Sequence, residues 1–171
     1  EILSAGKREQ VYLASKVFRT HSRGLAVGRN SRVNIMNALE NSLRLLRTDY
    51  LDLYQLHHPD PKTPIDESME ALDDAVRQGK VRYVGVSNHY AWMMGYMLGL
   101  AKGRGWPGIV SYQANYNLLE RQIETEAVPL CRRFGLGIMV YSPLCGGVLT
   151  GKYKSADDIP EGSRATYQEN W

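Results

Sequence analysis

Polar side chains close five short, mostly apolar runs of this 171-residue sequence. The runs end in Ala14-Ser15-Lys16, Gln55-Leu56-His57-His58, Gly85-Val86-Ser87-Asn88, Gln113-Ala114-Asn115 and Tyr141-Ser142-Pro143-Leu144. Taken alone, each end has an ordinary structural explanation, such as a solvated lysine, a hydrogen-bonded histidine or a Ser-Asn helix cap. If the five ends meet on one rim, their amine, imidazole, hydroxyl and carboxamide groups could bind a polar small molecule and move protons on it. Whether they meet depends on the elements that carry them.

The apolar runs themselves have the lengths and compositions of β-strands. The predicted strands are Gln10–Val17, Leu51–His57, Val81–Ser87, Ile109–Asn115 and Gly137–Tyr141. The third run is nearly continuous in apolar or aromatic residues, which indicates burial on both faces and therefore a parallel sheet with helical crossovers.

Between the predicted strands, apolar residues recur at the spacing of α-helices. The first predicted helix begins behind the possible N-caps Asn30 and Ser31, and its apolar stripe is Ile35, Leu39, Leu43 and Leu46. Two further helices are predicted from Ala91 to about Lys102 and from about Glu124 to Phe134.

The helix between the second and third strands has the clearest sequence signals. Thr63 is its predicted N-cap, Pro64 lies in its first turn and Gly79 ends it. Its apolar stripe is Ile65, Met69, Leu72 and Val76.

A doubly wound sheet and a (β/α) barrel both satisfy this order of elements. Five units in 171 residues correspond to roughly 34 residues per unit, so eight units would need about 270 residues, close to the usual barrel size. The sequence therefore predicts a single partial domain over residues 1–171. We expect it to be α/β, with about five units of a parallel (β/α)8 TIM-type barrel and an irregular C-terminal segment at 154–171.

Composition excludes several classes of partner. The net charge of +3 comes from 21 basic and 18 acidic residues without a block of one sign, so we expect a small molecule and no nucleic acid. The most apolar run, Ala91 to Ala101, is too short for a membrane span, which needs about 20 residues. Cys131 and Cys145 fit neither a metal site nor a disulfide scaffold, which favours a reducing, cytoplasmic location.

Two glycine-rich segments resemble nucleotide-binding motifs without meeting all of their requirements. Gly103-Arg-Gly105-Trp-Pro-Gly108 matches G-x-G-x-x-G but closes a helix and precedes a strand, so we interpret it as a turn. Gly146 to Lys152 follows a strand like a P-loop, but Tyr153 stands where Ser or Thr is needed. A looser interpretation remains, because backbone N–H groups of such a turn can still approach a phosphate.

Three longer segments resemble the aldo-keto reductases. They are Asp49-Tyr-Leu-Asp-Leu-Tyr-Gln-Leu-His57-His-Pro-Asp60, Gln78-Gly-Lys-Val-Arg-Tyr-Val-Gly-Val-Ser-Asn88 and Tyr141-Ser-Pro-Leu-Cys-Gly-Gly-Val-Leu-Thr-Gly-Lys-Tyr153. The match runs from about Val11 to Tyr153 with order and spacing kept. It implies reduction of aldehyde or ketone carbonyls with NADPH as the cofactor, NADH not being excluded.

The resemblance also implies site residues. Lys16 and His57 match the Lys and His of the family's catalytic Tyr, Lys, His and Asp tetrad. Ser87, Asn88 and Gln113 match residues that bind the nicotinamide carboxamide, and Tyr141 matches the ring stacked on the nicotinamide. Ser142, Leu144 and Gly146 resemble the loop along the pyrophosphate.

The family's Asp and Tyr lie upstream of the strand that carries the lysine, and nothing before Gln10 matches them. We therefore expect residues 1–171 to be an internal piece that is inactive alone. A second hypothesis is a nucleotide-binding regulatory subunit, resembling the potassium-channel β subunits, and the retained His57 favours catalysis over it. Substrate identity and oligomeric state stay open.

Overall fold

The computed structural model describes residues 6–17, 29–155 and 159–166, except for the side chain of Ala165. Its five strands form one parallel sheet: β1 Ala14–Val17, β2 Leu51–Leu56, β3 Val81–Ser87, β4 Ile109–Asn115 and β5 Gly137–Tyr141. Each strand pairs with the next one in the chain. This order lacks the reversal of a doubly wound sheet. The fold is therefore the predicted partial (β/α) barrel.

Four helices connect or follow these strands: α1 Arg32–Leu46, α2 Ile65–Arg77, α3 Ala91–Arg104 and α4 Ala127–Phe134. Parallel crossovers of one hand place the helices on one face of the sheet. On that face the Tyr54 hydroxyl of β2 donates to the Ile35 carbonyl of α1 at 3.3 Å. The core between the layers is built from fully buried side chains such as Leu39, Leu56 and Met94.

The first strand is shorter than the sequence pattern predicts. Arg8–Gln10 is a 3-10 helix, and pairing with β2 begins only at Ala14. The Arg8 guanidinium turns inward to the carbonyls of Val11 and Tyr50 and forms an ion pair of 2.7 Å with Asp52. These contacts hold residues 8–10 as a turn next to the start of β2. The strand therefore begins at Ala14, and the prediction that it begins at Gln10 was wrong.

Helix α1 begins as its sequence signals predict. The Ser31 side chain accepts from the Asn34 N–H at 3.4 Å, which confirms Ser31 as the N-cap. Ile35, Leu39 and Leu43 of the stripe are buried.

Helix α2 has the predicted stripe but a different N-cap. Pro64 occupies the N-cap position and no side chain caps the helix. The Thr63 hydroxyl instead donates to the Asp60 carboxylate at 2.7 Å. Because α2 begins at Ile65, Thr63 lies one residue before the N-cap position, and the prediction of Thr63 as the N-cap was wrong.

Helices α3 and α4 both end at a left-handed glycine, and α4 begins later than the sequence predicts. Gly105 at φ 67° and Gly135 at φ 72° are their left-handed C-caps, so the first glycine motif is a helix-to-strand turn. Helix α4 begins at Ala127, because Gln122–Glu124 forms a separate 3-10 turn ahead of it. Pro129 is tolerated in the first turn of α4, where its missing N–H has no partner to lose.

Asp60 joins the segment before α1 to the loop before α2. Its carboxylate accepts from the N–H groups of Asn30 at 2.9 Å and Lys62 at 3.0 Å, besides Thr63. The Asn30 side chain in turn donates to the His58 carbonyl at 2.9 Å. The loop that carries the two adjacent histidines is thereby tied to the neighbouring strand–helix unit.

Candidate active site

The carboxyl ends of the five strands place the predicted polar residues on one rim. Lys16 pairs in register with Gln55, Ser87 pairs with Gln113, and Asn115 pairs with Tyr141. Because partners in a parallel ladder project to the same face, the polar ends of neighbouring strands lie side by side.

Asn88 connects most of these residues through its own hydrogen bonds. Its side-chain amide donates to the His57 carbonyl at 3.1 Å and to the Ser87 hydroxyl at 3.0 Å. The Tyr141 hydroxyl donates to its oxygen at 2.8 Å, and its backbone N–H donates to the Gln113 carbonyl at 3.0 Å. Asn88 is thus the centre of a network that spans β2, β3, β4 and β5.

The backbone at Asn88 is left-handed, with φ at 58°. Asparagine is one of the few residues that adopt this conformation readily, because its short polar side chain hydrogen-bonds locally. The sharp turn after Ser87 is what lets the side chain fold back toward His57 while the chain proceeds into α3.

His57 and Lys16 interact electrostatically. Burial lowers the pKa of His57, and the nearby positive charges of Lys16 and then His58 lower it further. The rings of His57 and His58 stack with centroids 4.8 Å apart. Since the pKa falls below its ordinary value near 6.5, His57 is neutral at pH 7 and offers both an N–H donor and an acceptor.

His89 is a site neighbour that the sequence analysis missed. The side chain is buried, and its Nδ1 lies 2.8 Å from the Ser87 carbonyl. A carbonyl only accepts, so Nδ1 carries the hydrogen. Burial lowers the pKa of His89 to about 4, against the opposing effect of the Ser87 carbonyl, and the His58 charge lowers it slightly more. His89 therefore supports the Ser87-Asn88 turn as a neutral ring.

The pKa of His89 predicts an acid-sensitive stability in the whole protein. An unfolded imidazole binds a proton near pH 6.5 and the folded one only near 4, so the unfolded state binds more protons between these values. The free energy of unfolding should fall by about 2 kcal/mol from pH 7 to pH 5 on account of this residue. Denaturant unfolding at the two pH values measures it. His89→Phe should remove that part of the fall, and an equal fall in the variant would contradict the assignment.

The loop after β5 has an unusual backbone. Ser142, Cys145, Gly146 and Gly147 all have positive φ, at 53°, 46°, 62° and 109°. The N–H groups of Cys145 and Gly147 return to the carbonyls of Ser142 and Leu144 at 2.9 Å. The result is a tight Gly-rich turn after β5, at the edge of the sheet opposite to β1, which carries Lys16.

Two residues near this loop were also missed. The buried Asn117 side chain donates to the Ser142 carbonyl at 3.1 Å and so anchors the start of the loop to the segment after β4. The Lys152 ammonium lies 3.0 Å from the point where a Cβ on Gly147 would stand. The false P-loop motif contained Lys152, but only the folded loop shows that its charge lies against the turn.

Among the described residues, no group of three or more His, Cys, Asp or Glu side chains could hold a metal ion. Within the same ranges, none of the helices is both long and apolar enough to cross a membrane.

Comparisons with known proteins agree with this geometry. The sequence pattern of the Aldo/keto reductase family matches residues 1–171, and the chain belongs to that family. It is 43% identical over 155 residues to the uncharacterized oxidoreductase YrpG of Bacillus subtilis strain 168, covering 85% of this chain and 46% of YrpG. It is 43% identical over 119 residues to human aldo-keto reductase family 7 member A3, covering 70% of this chain and 36% of that protein.

Human aflatoxin B1 aldehyde reductase member 2 is 41% identical over 124 residues, which cover 72% of this chain and 34% of the relative. The chain thus spans about a third to a half of the curated relatives that it matches.

Proposed function

We propose that the whole protein reduces aldehyde or ketone carbonyls to alcohols with a nicotinamide nucleotide, NADPH before NADH. In this proposal residues 1–171 supply the lysine, the histidine and most of the cofactor contacts. The observation that carries it is the hydrogen-bonded network of Asn88, which gathers His57, Ser87, Gln113 and Tyr141 on one rim.

The donor set at this rim fits the carboxamide of a nicotinamide. The Ser87 hydroxyl and the Gln113 carboxamide can donate and accept together, as a primary amide requires, and the Asn88 oxygen keeps a second lone pair that can accept. The Tyr141 ring is partly exposed and held through its hydroxyl, so one of its faces is available for stacking. When bound, the nicotinamide supplies a hydride to the carbonyl carbon.

The loop after β5 fits the diphosphate of the same cofactor. Its glycines allow close approach of the backbone, and Ser142, Leu144 and Gly146 lie along the turn. The Lys152 ammonium, packed against Gly147, adds a positive charge at this place. We assign Lys152 to the diphosphate contacts together with the three residues that the sequence predicts.

Lys16 and His57 act on the substrate oxygen in this proposal. That oxygen gains negative charge as the carbon is reduced, so it needs a hydrogen-bond donor already in place and then a proton. The neutral imidazole of His57 orients the oxygen. The ammonium of Lys16 lowers the pKa of the proton donor, a tyrosine that the family resemblance places upstream of β1.

The experiment that tests the function uses the whole protein, NADPH or NADH, and a panel of aromatic and aliphatic aldehydes. Oxidation of the nicotinamide that depends on the aldehyde is expected, with one alcohol formed per cofactor consumed. Tight nucleotide binding without turnover would instead support the regulatory-subunit alternative. The names of the relatives and the retained His57 favour the enzyme.

Tyr141→Ala should weaken nicotinamide nucleotide binding in the whole protein. Loss of an aromatic contact is worth about 1 kcal/mol or more, so the Kd should rise at least about fivefold. Fluorescence titration measures this change. Tyr141→Phe is the matched control, because it keeps the ring and loses only the hydrogen bond to Asn88. Unchanged affinity in Tyr141→Ala would remove Tyr141 from the site.

We also propose a cytoplasmic location for the protein. Cys131 and Cys145 are both free thiols, which suits a reducing compartment.

A further inference from the structure

Lys16 belongs to a row of register partners across four strands. It pairs with Gln55 of β2, which pairs with Gly85 of β3, which pairs with Ser111 of β4. Neighbouring strands lie about 4.8 Å apart, and register partners in a parallel sheet project to the same face. Gln55 also lies two residues before His57 in the chain. It is therefore close to both proposed catalytic residues, to Lys16 on the neighbouring strand and to His57 further along its own.

Two polar atoms of this row are buried without a hydrogen-bond partner among the described residues. They are Nε2 of Gln55, a residue 1% exposed, and Oγ of Ser111, a residue 7% exposed. An unsatisfied buried polar group destabilises the folded state, so an apolar pair would be more stable here. The pair is explained by a task of its polar atoms or by a bound water molecule.

Gly85 leaves the space in which these two side chains approach each other. A Cβ at Gly85 would stand 2.2 Å from Ser111 Oγ and 3.4 Å from Gln55 Cγ. Ser111 therefore leaves no room for a Cβ at position 85, whereas Gln55 Cγ would be at ordinary contact distance from one.

We propose that Gln55 is a positioning residue for Lys16, an inference that rests on the proposed function. In this role its carboxamide oxygen would accept from the Lys16 ammonium one strand away, and its Nε2 would donate across Gly85 toward Ser111 Oγ through one water molecule. A carboxamide is suited to this place because it donates and accepts at once.

The neutrality of the carboxamide matters as much as its hydrogen bonds. The proposed task of Lys16 is to lower the pKa of a tyrosine through its positive charge. A carboxylate at position 55 would add a further negative charge beside the ammonium and offset that effect, and an apolar side chain would remove one acceptor. Glutamine can accept from the lysine and adds no charge of its own.

The test measures kcat/KM for carbonyl reduction against pH in Gln55→Leu, Gln55→Glu and Ser111→Ala variants of the whole protein. The alkaline pH at which the rate falls reports the pKa of the proton donor. We expect it to rise by about half a pH unit or more in Gln55→Leu, by more in Gln55→Glu and by less in Ser111→Ala. Cofactor Kd should stay within about twofold, since no nucleotide contact changes.

Ser15→Ala is the matched control for Ser111→Ala. It makes the same chemical change next to Lys16 in the chain, but the Ser15 hydroxyl lies 3.1 Å from Ser42 of α1, on the helix-covered face. Its pH profile should not move. If Gln55→Leu does not fold, Ser111→Ala and Gln55→Glu decide the matter.

A structural role alone would change the melting temperature of the variants and leave their pH profiles as in the unmodified protein, and that result overturns the proposal. An unmodified protein without reductase activity would overturn the proposed function and this inference with it. An active protein whose variants keep their profiles overturns only the inference.

Discussion

Lys16→Met in the whole protein is expected to lower kcat/KM for carbonyl reduction by about 10²–10⁴-fold. Methionine keeps an unbranched apolar stem and removes the charge that acts on the proton donor. The loss corresponds to roughly 3–5 kcal/mol of transition-state stabilisation. Nucleotide affinity should change little, because Lys16 lies beside His57 rather than in the predicted cofactor contacts. Steady-state kinetics and a cofactor titration measure the two quantities.

Lys80→Met provides the control for this substitution. Lys80 precedes β3 at the opposite edge of the sheet and forms an ion pair with Glu40 of α1. The same chemical change there should leave kcat/KM within about twofold, as is usual for a surface substitution. Near-normal kcat in Lys16→Met would show that the proton donor is activated in another way.

Asp60→Ala is expected to give the largest loss of stability. It leaves the Asn30 and Lys62 N–H groups and the Thr63 hydroxyl without their acceptor. The Asn30 N–H and the Thr63 hydroxyl are buried, and each buried unsatisfied donor costs about 1–3 kcal/mol, so the free energy of unfolding should fall by about 3 kcal/mol. Denaturant unfolding of the whole protein at pH 7 measures the difference.

The pH dependence of this effect has a definite sign. Burial raises the pKa of Asp60, but hydrogen bonds from Asn30, Thr63 and Lys62 outweigh it and hold the pKa below its ordinary value. The stability contributed by Asp60 is therefore complete above the unfolded pKa near 3.9 and is lost as pH falls through the lower folded value. The difference between the unmodified protein and Asp60→Ala should shrink in that acid range.

Asp66→Ala is the control for Asp60→Ala. The Asp66 carboxylate, in the first turn of α2, accepts from the Tyr96 hydroxyl at an exposed position. Its removal should cost less than about 1 kcal/mol. A loss in Asp60→Ala no greater than this would contradict the importance of the network around Asp60.

The sequence predicted those elements whose signals are local. Val81–Ser87 and Ile109–Asn115 have the bounds that their local patterns predict, although Arg82 and Val110 within them are exposed. Thr63 failed as an N-cap because α2 begins one residue later than predicted, with Pro64 at the N-cap position, and the Thr63 hydroxyl donates to Asp60. The strand from Gln10 failed because Arg8 makes contacts 40 or more residues away.

The same distinction between local signals and long-range contacts applies to the candidate site. The strand-end residues could be named from the sequence, because a parallel sheet gathers its carboxyl ends at one edge. Their connection through Asn88 could not be predicted, since it depends on register between β3 and β4 and on one left-handed turn. His89 and Lys152 gave no distinguishing signal, because their partners are a backbone carbonyl and the surface of a glycine.

The left-handed backbone at Asn88 limits how this protein can evolve. Few residues adopt φ near 58° at small cost, chiefly glycine, asparagine and aspartate. Glycine has no side chain, and an ionised aspartate has no hydrogen to donate to the His57 carbonyl. Two requirements of different origin, one on backbone shape and one on hydrogen-bond donation, therefore favour asparagine over the other two. Substitutions at position 88 are expected to be costly, although the residue is neither in the core nor charged.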